Sequence, residues 1–155
     1  MNKKIFISTG EVSGDLHGSL LSKALLDEAK KQSIDLEICG LGGERMKKEG
    51  VRILQDTTSI SAIGIWEALP LILPTIRIQK RFYKFLKKYP PDCLILIDYM
   101  GPNIKIGTKL KNSKTKIPIF YYNAPQEWAW RVGNNTTTNL INFSDKIFFE
   151  FLLSE

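Results

Sequence analysis

Two short stretches hold the side chains with the types and spacing for chemistry. The first is Ser8-Thr9-Gly10-Glu11-Val12-Ser13-Gly14-Asp15, which combines glycines, small hydroxyl residues and two carboxylates. It lies between the β-prone run Ile5-Phe6-Ile7 and a helical pattern. In that pattern Leu16, Leu20, Leu21, Ala24, Leu25 and Ala29 recur at three- and four-residue steps, which predicts a helix with one buried face. A strand–loop–helix junction is where an open α/β sheet places ligands. The loop has neither the G-x-G-x-x-G nor the P-loop spacing, and Glu11 and Asp15 would repel a phosphate set beside them. A polar, hydroxyl-bearing ligand suits it better. The competing use is structural, with Gly10 and Gly14 serving a tight turn and Ser13 or Asp15 capping the helix.

The second stretch centres on Asp98. Asp92 to Ile97 (Asp-Cys-Leu-Ile-Leu-Ile) is the clearest buried strand of the chain, and it runs into Asp98 and then Tyr99-Met100-Gly101-Pro102-Asn103. A carboxylate at the carboxyl end of a buried parallel strand faces the ligand crevice of a doubly wound sheet. It could equally cap the next helix, but Asn103 or Gly101 is available for that, which leaves Asp98 freer for function.

The rest of the chain supplies elements to position these residues. Further strands are expected at Leu36–Cys39, Val51–Leu54, Ile117–Tyr122 and Asp145–Phe149, with a short helix through Met46-Lys47-Lys48 and another over Ile104–Leu110. Ile65 to Ile76 is the most apolar segment, broken by Pro70 and Pro74. A basic flank follows (Arg77, Lys80, Arg81, Lys84, Lys87, Lys88), interleaved with Phe82, Tyr83 and Phe85. Such a segment reads either as a core helix or as an apolar wedge beside cations at a membrane surface. The alternation of strands and helices predicts an α/β class: a doubly wound, mostly parallel Rossmann-like sheet with helices on both faces, in one domain.

Composition narrows the classes. The 155 residues are 43% hydrophobic and 25% charged with a net charge of +6, a soluble globular profile with a moderate basic excess. Cys39 and Cys93 sit in apolar runs without C-x-x-C spacing, and His17 is the only histidine, so buried thiols are expected and a metal site is not. No signal peptide is visible, and no apolar run approaches the roughly 18 residues of a membrane span. A cytoplasmic protein that does not bind nucleic acid is expected.

Five pieces, in order, resemble the lipid-A-disaccharide synthase family, glycosyltransferases built of two Rossmann-like domains. They are Gly10-Glu11-x-Ser13-Gly14-Asp15, Gly40-Leu41-Gly42-Gly43 with Met46, Gly64-Ile65-x-Glu67, Ile97-Asp98 with Asn103, and Trp128-Ala129-Trp130-Arg131. Departures are Met100 and Pro102, where the family usually has Pro and Phe, Ala124 for Ser, and Asn134 to Thr138 in place of basic residues. The resemblance implies transfer of a diacylglucosamine from its UDP conjugate to diacylglucosamine 1-phosphate, with UDP released and neither metal nor cofactor. It implies Asp98 as the general base on the attacking hydroxyl, with Gly10, Glu11, Ser13, Gly14, Asp15 and Asn103 around the acceptor. It implies membrane contact through Trp66, Leu69, Ile72 and Leu73, peripheral on the inner face of the cytoplasmic membrane. It also makes these 155 residues the acceptor-side, amino-terminal domain, without the UDP-donor domain, and therefore inactive alone. A fragment, or a split gene whose partner chain carries the donor domain, would account for that. The alternative expectation is a remnant that binds acyl sugars or membranes without catalysis.

Overall fold

The computed structural model describes residues 2–58, 72–112, 117–123 and 136–148. Strands β1 (Asn2–Ser8), β2 (Asp35–Gly42), β3 (Arg52–Asp56), β4 (Cys93–Ile97), β5 (Ile119–Tyr122) and β6 (Lys146–Phe148) form one sheet. Helices α1 (Val12–Lys31), α2 (Glu44–Lys48), α3 (Ile72–Lys88), α4 (Met100–Lys111) and α5 (Thr136–Phe143) accompany it. The strand order is β3-β2-β1-β4-β5-β6 with every pair parallel. The expected doubly wound α/β sheet is therefore the observed one. The chain leaves β1 toward β2 on one side and leaves β4 toward β5 on the other. The switch point, where adjacent loops part and open a crevice, lies between β1 and β4.

Alternation along the strands fills two cores. Phe6, Leu94, Leu96, Ile119 and Tyr121 face one side, where Phe82 and Leu86 of α3, Ile106 and Leu110 of α4, and Leu140 and Phe143 of α5 cover them. Ile7, Ile38, Ile95 and Ile97 face the other, with Met46 of α2 and, at its edge, Leu21, Leu25 and Leu26 of α1. Phe82 is buried with its ring 4.4 Å from that of Phe6, and Tyr83 and Phe85 pack partly buried against the same core. Arg77, Lys80, Arg81, Lys84, Lys87 and Lys88 are exposed.

Two elements depart from the expectation. Helix α1 begins at Val12, which puts Ser13, Gly14 and Asp15 in its first turn instead of in the loop. Its buried face is Gly14, Asp15, Gly18, Ser19, Ser22 and Ala29, while Leu16 and Leu20 are 39% and 60% exposed. The cause is close approach. A Cβ on Gly18 would stand 2.7 Å from the Met46 sulfur, so only small residues fit between α1 and the β2–α2 junction. Helix α4 begins at Met100, four residues earlier than expected. Pro102 is tolerated there because first-turn N–H groups have no helical partner.

Candidate active site at the switch point

The site is built from the loop after β1 and the turn after β4. Thr9 is fully buried and its N–H donates to the Leu41 carbonyl (3.0 Å), which locks the β1 exit to β2. Gly10 follows, and its missing side chain has a specific use. A Cβ there would overlap the Tyr99 ring, so the ring lies directly on the Gly10 backbone. Gly14 does the same one turn later, where a Cβ would overlap the Thr9 hydroxyl. The two glycines thus let α1 and the turn after β4 close on the end of β1. Close packing is their use, since neither has a positive φ.

The β4 exit is an unusual turn. Asp98 and Tyr99 both adopt left-handed backbone conformations, with φ of 45° and 50°. Neither is glycine, so each carries a steric cost of about 1–2 kcal/mol that the surroundings must hold. The hold is visible. The Asp98 carbonyl accepts from the Tyr121 hydroxyl (2.6 Å) and from the Asn103 amide (2.8 Å). The Asn103 amide also donates to the carbonyls of Ile97 (3.1 Å) and Ser8 (3.3 Å), and its oxygen accepts from the Ser8 hydroxyl (2.8 Å). Asn103 is fully buried and ties the ends of β1 and β4 together from within α4. It is therefore engaged on both sides by protein groups, and it caps no helix.

Around this turn the titratable groups converge. Burial pushes the Asp98 carboxyl above the ordinary aspartate range, opposed by the Tyr99 N–H and by the charge of His17. Glu11, half-buried at the start of α1, is also raised, first by burial and then by the negative charge of Asp98. The Tyr99 phenol is raised by burial and by Glu11. Asp98, Glu11, Tyr99 and His17 thus share one end of the sheet. A carboxylate held partly desolvated is a better proton acceptor than one in water, and a tyrosine ring beside it offers an apolar face. Such a site can bind and deprotonate a polyol.

Asp15 is placed differently. It is 4% exposed, and its carboxylate accepts from the N–H groups of Gly43 (2.7 Å), Arg45 (3.1 Å) and Met46 (3.2 Å). These are the free N–H groups at the start of α2, which has no cap from its own N-cap residue. Asp15 caps α2 from a distance and pins α1 to the β2–α2 turn. Ser13 is exposed in the first turn of α1. Of the acceptor residues expected, the structure brings Glu11, Gly10 and Asp98 together, and sets Asp15 and Asn103 beneath them as scaffold.

Trp66 and Leu69 lie outside the described residues, as does Trp128-Ala129-Trp130-Arg131; Ile72 and Leu73 begin α3, with their side chains outside the description. No described helix is long and apolar enough to cross a membrane. Among the described residues no cluster of His, Cys, Asp and Glu could hold a metal. Cys39 and Cys93 are free thiols; burial raises both, Cys93 to about 11, which keeps them protonated and unreactive. Tyr99 and Tyr121 were not singled out by sequence. A hydroxyl-bearing ring at a core-facing strand position, where burial demands a partner, was the available signal for Tyr121.

Comparisons with known proteins agree with this architecture. Residues 5–152 match the family model described as lipid-A-disaccharide synthetase. The lipid-A-disaccharide synthase of Prochlorococcus marinus (strain MIT 9313) is 54% identical over 144 residues, covering 93% of this chain and 37% of the relative. That of Synechocystis sp. is 46% identical over the same length, covering 36% of the relative. The chain thus spans little more than a third of the relatives it matches. Among solved structures, the Staphylococcus aureus MnaA–UDP complex superposes with a TM-score of 0.63 at 13% identity, covering 95% of this chain and 37% of that one, a likeness of fold. On the family match and these identities, the chain belongs to the lipid-A-disaccharide synthase family.

Proposed function

We propose that these residues form the amino-terminal, acceptor-side domain of a lipid-A-disaccharide synthase. The reaction is attack by the 6-hydroxyl of 2,3-diacylglucosamine 1-phosphate on the anomeric carbon of UDP-2,3-diacylglucosamine. The observation that carries this reading is the half-buried Asp98 carboxyl at the switch point, held on a fixed turn beside Glu11. A sugar hydroxyl is far too weak an acid to ionise beforehand, so Asp98 takes its proton as the new C–O bond forms. The bond from the anomeric carbon to the UDP oxygen breaks with its electron pair, and UDP departs. Partial desolvation favours this role, because it makes the ionised carboxylate readier to accept a proton. Glu11 accepts hydrogen bonds from other hydroxyls of the acceptor, and the Tyr99 ring lies beside it.

UDP recognition belongs, on this reading, to the part of the relatives that this chain does not span. Equilibrium dialysis of the 155-residue protein separates the possibilities. Saturable binding of diacylglucosamine 1-phosphate without UDP binding is expected. Tight UDP binding would overturn the assignment to the acceptor side.

The substrates are lipids, so the domain works at the membrane surface. The exposed cations of α3 support this, with no acidic residue in its first turn. Each cation near an anionic bilayer contributes about 1 kcal/mol. Replacing Lys80, Arg81 and Lys84 together by glutamine is expected to weaken binding to phosphatidylglycerol vesicles about 100-fold in a flotation assay. Unchanged flotation would remove α3 from the membrane contact.

A further inference from the structure

We propose that Tyr121 is a positioning residue for Asp98: its phenol, together with the Asn103 amide, fixes the left-handed turn that presents the Asp98 carboxylate to the crevice. The inference rests on the reading of Asp98 as the base only for its catalytic consequence; the turn itself is a structural observation. Strand β4 pairs with β5 up to Ile97 and Tyr122, and the next ladder contact, from the Asp98 N–H to the Tyr122 carbonyl, is long at 3.4 Å. Beyond it the Asp98 carbonyl leaves the ladder and takes two side-chain donors, Tyr121 at 2.6 Å and Asn103 at 2.8 Å. Two successive left-handed residues without glycine persist only where such contacts over-determine them.

Tyr121 is fully buried, with its ring 6.3 Å from that of Phe143. Its neighbour on the same face of β5, Ile119, is apolar. Phenylalanine would fill the same volume, so the hydroxyl is what the position adds. Burial and the charges of Asp98 and Glu11 hold this phenol well above its ordinary pKa, so it remains a donor throughout the working range. Asn103 shares its amide among three carbonyls. Tyr121 donates to the Asp98 carbonyl alone among its described hydrogen bonds, and is the more specific support.

The test is a carboxyl-carbon NMR titration of the 155-residue chain. In the parent protein Asp98 is expected to titrate above the ordinary aspartate value, because burial disfavours its charge. In Tyr121→Phe the turn relaxes, and Asp98 is expected to titrate closer to the ordinary value, with backbone shifts at Asp98 and Tyr99 leaving the left-handed range. Ile119→Val, on the same strand and face, is the control for lost packing, and should lower the melting temperature without moving the Asp98 titration. An unmoved Asp98 in Tyr121→Phe overturns the inference. In a protein that joins these residues to a donor-binding half, Tyr121→Phe should lower kcat about ten- to a hundredfold at unchanged KM for the acceptor. An unchanged kcat there also overturns the catalytic consequence. Asp98→Asn, run alongside, keeps the two claims apart: full activity in that variant overturns the base assignment, while the NMR titration alone decides the turn.

Discussion

On the proposed reading, Asp98→Asn in a protein that joins these residues to a donor-binding half is expected to lower the rate of disaccharide formation by about 10²–10⁴-fold, the usual contribution of a general base, while making the domain more stable at neutral pH. The first effect follows because the amide keeps the shape of the side chain and has no basic site for the 6-hydroxyl proton. The second follows from linkage. Burial raises the folded-state pKa of Asp98 above the ordinary value of 3.8. A group raised on folding contributes stability that is fully present below its unfolded pKa and lost as pH rises through its folded pKa. At about pH 7 the fold therefore bears the cost of a half-buried charge, which asparagine removes; at about pH 3 the group is neutral in both states and the difference vanishes. Melting curves of both proteins across this range should converge toward acid. A loss of activity coupled to a gain in stability marks a residue kept for function.

Asp15→Ala should destabilise the fold by about 3 kcal/mol of the roughly 5–15 kcal/mol a domain possesses. Three backbone N–H groups, of Gly43, Arg45 and Met46, lose their acceptor at once. The site is too enclosed for water to replace it freely, since Asp15 is 4% exposed. Leaving buried donors unpaired costs more than the net worth of the bonds. The loss should appear as a lower urea midpoint at unchanged m-value. Ser13→Ala, two residues away but exposed, is expected to fall within about 0.5 kcal/mol of the parent. A small loss in Asp15→Ala would show the carboxylate to be free for substrate after all.

These two aspartates show what was legible in the sequence. The strand before Asp98 is a continuous apolar run, as parallel strands buried on both faces are, so its end and the carboxylate there could be placed without coordinates. Asp15 reads the same way in local terms, as a small acidic residue near a helix start. Its partners are about thirty positions away, at Gly43 to Met46, and no local pattern announces them. The leucine pattern of helix α1 gives part of its packed face, since Ala29 is buried and Leu21 and Leu25 pack at the edge of the core, while Leu16 and Leu20 are exposed. Gly14 and Gly18 fill the rest of that face because the helix closes on Thr9 and Met46 too tightly for larger side chains, and counting hydrophobic residues does not register that. The Tyr121 contact is hidden for a third reason: alternation gives the face of a strand, not where the tip of a long side chain ends. The fold was thus readable from period and run length. The scaffold beneath the site depends on close approach and long-range hydrogen bonds.

On the proposed reading, Asp98 removes the proton from the acceptor hydroxyl. The direct measurement is the single-turnover rate of disaccharide formation from radiolabelled UDP-diacylglucosamine, at saturating acceptor. It is made with these residues joined to a donor-binding half, in the parent and in Asp98→Asn. A rate lowered by about 10²–10⁴-fold, with acceptor binding retained, is the result this structure predicts. A rate within about threefold of the parent would contradict it and leave Asp98 as no more than the corner of a strained turn.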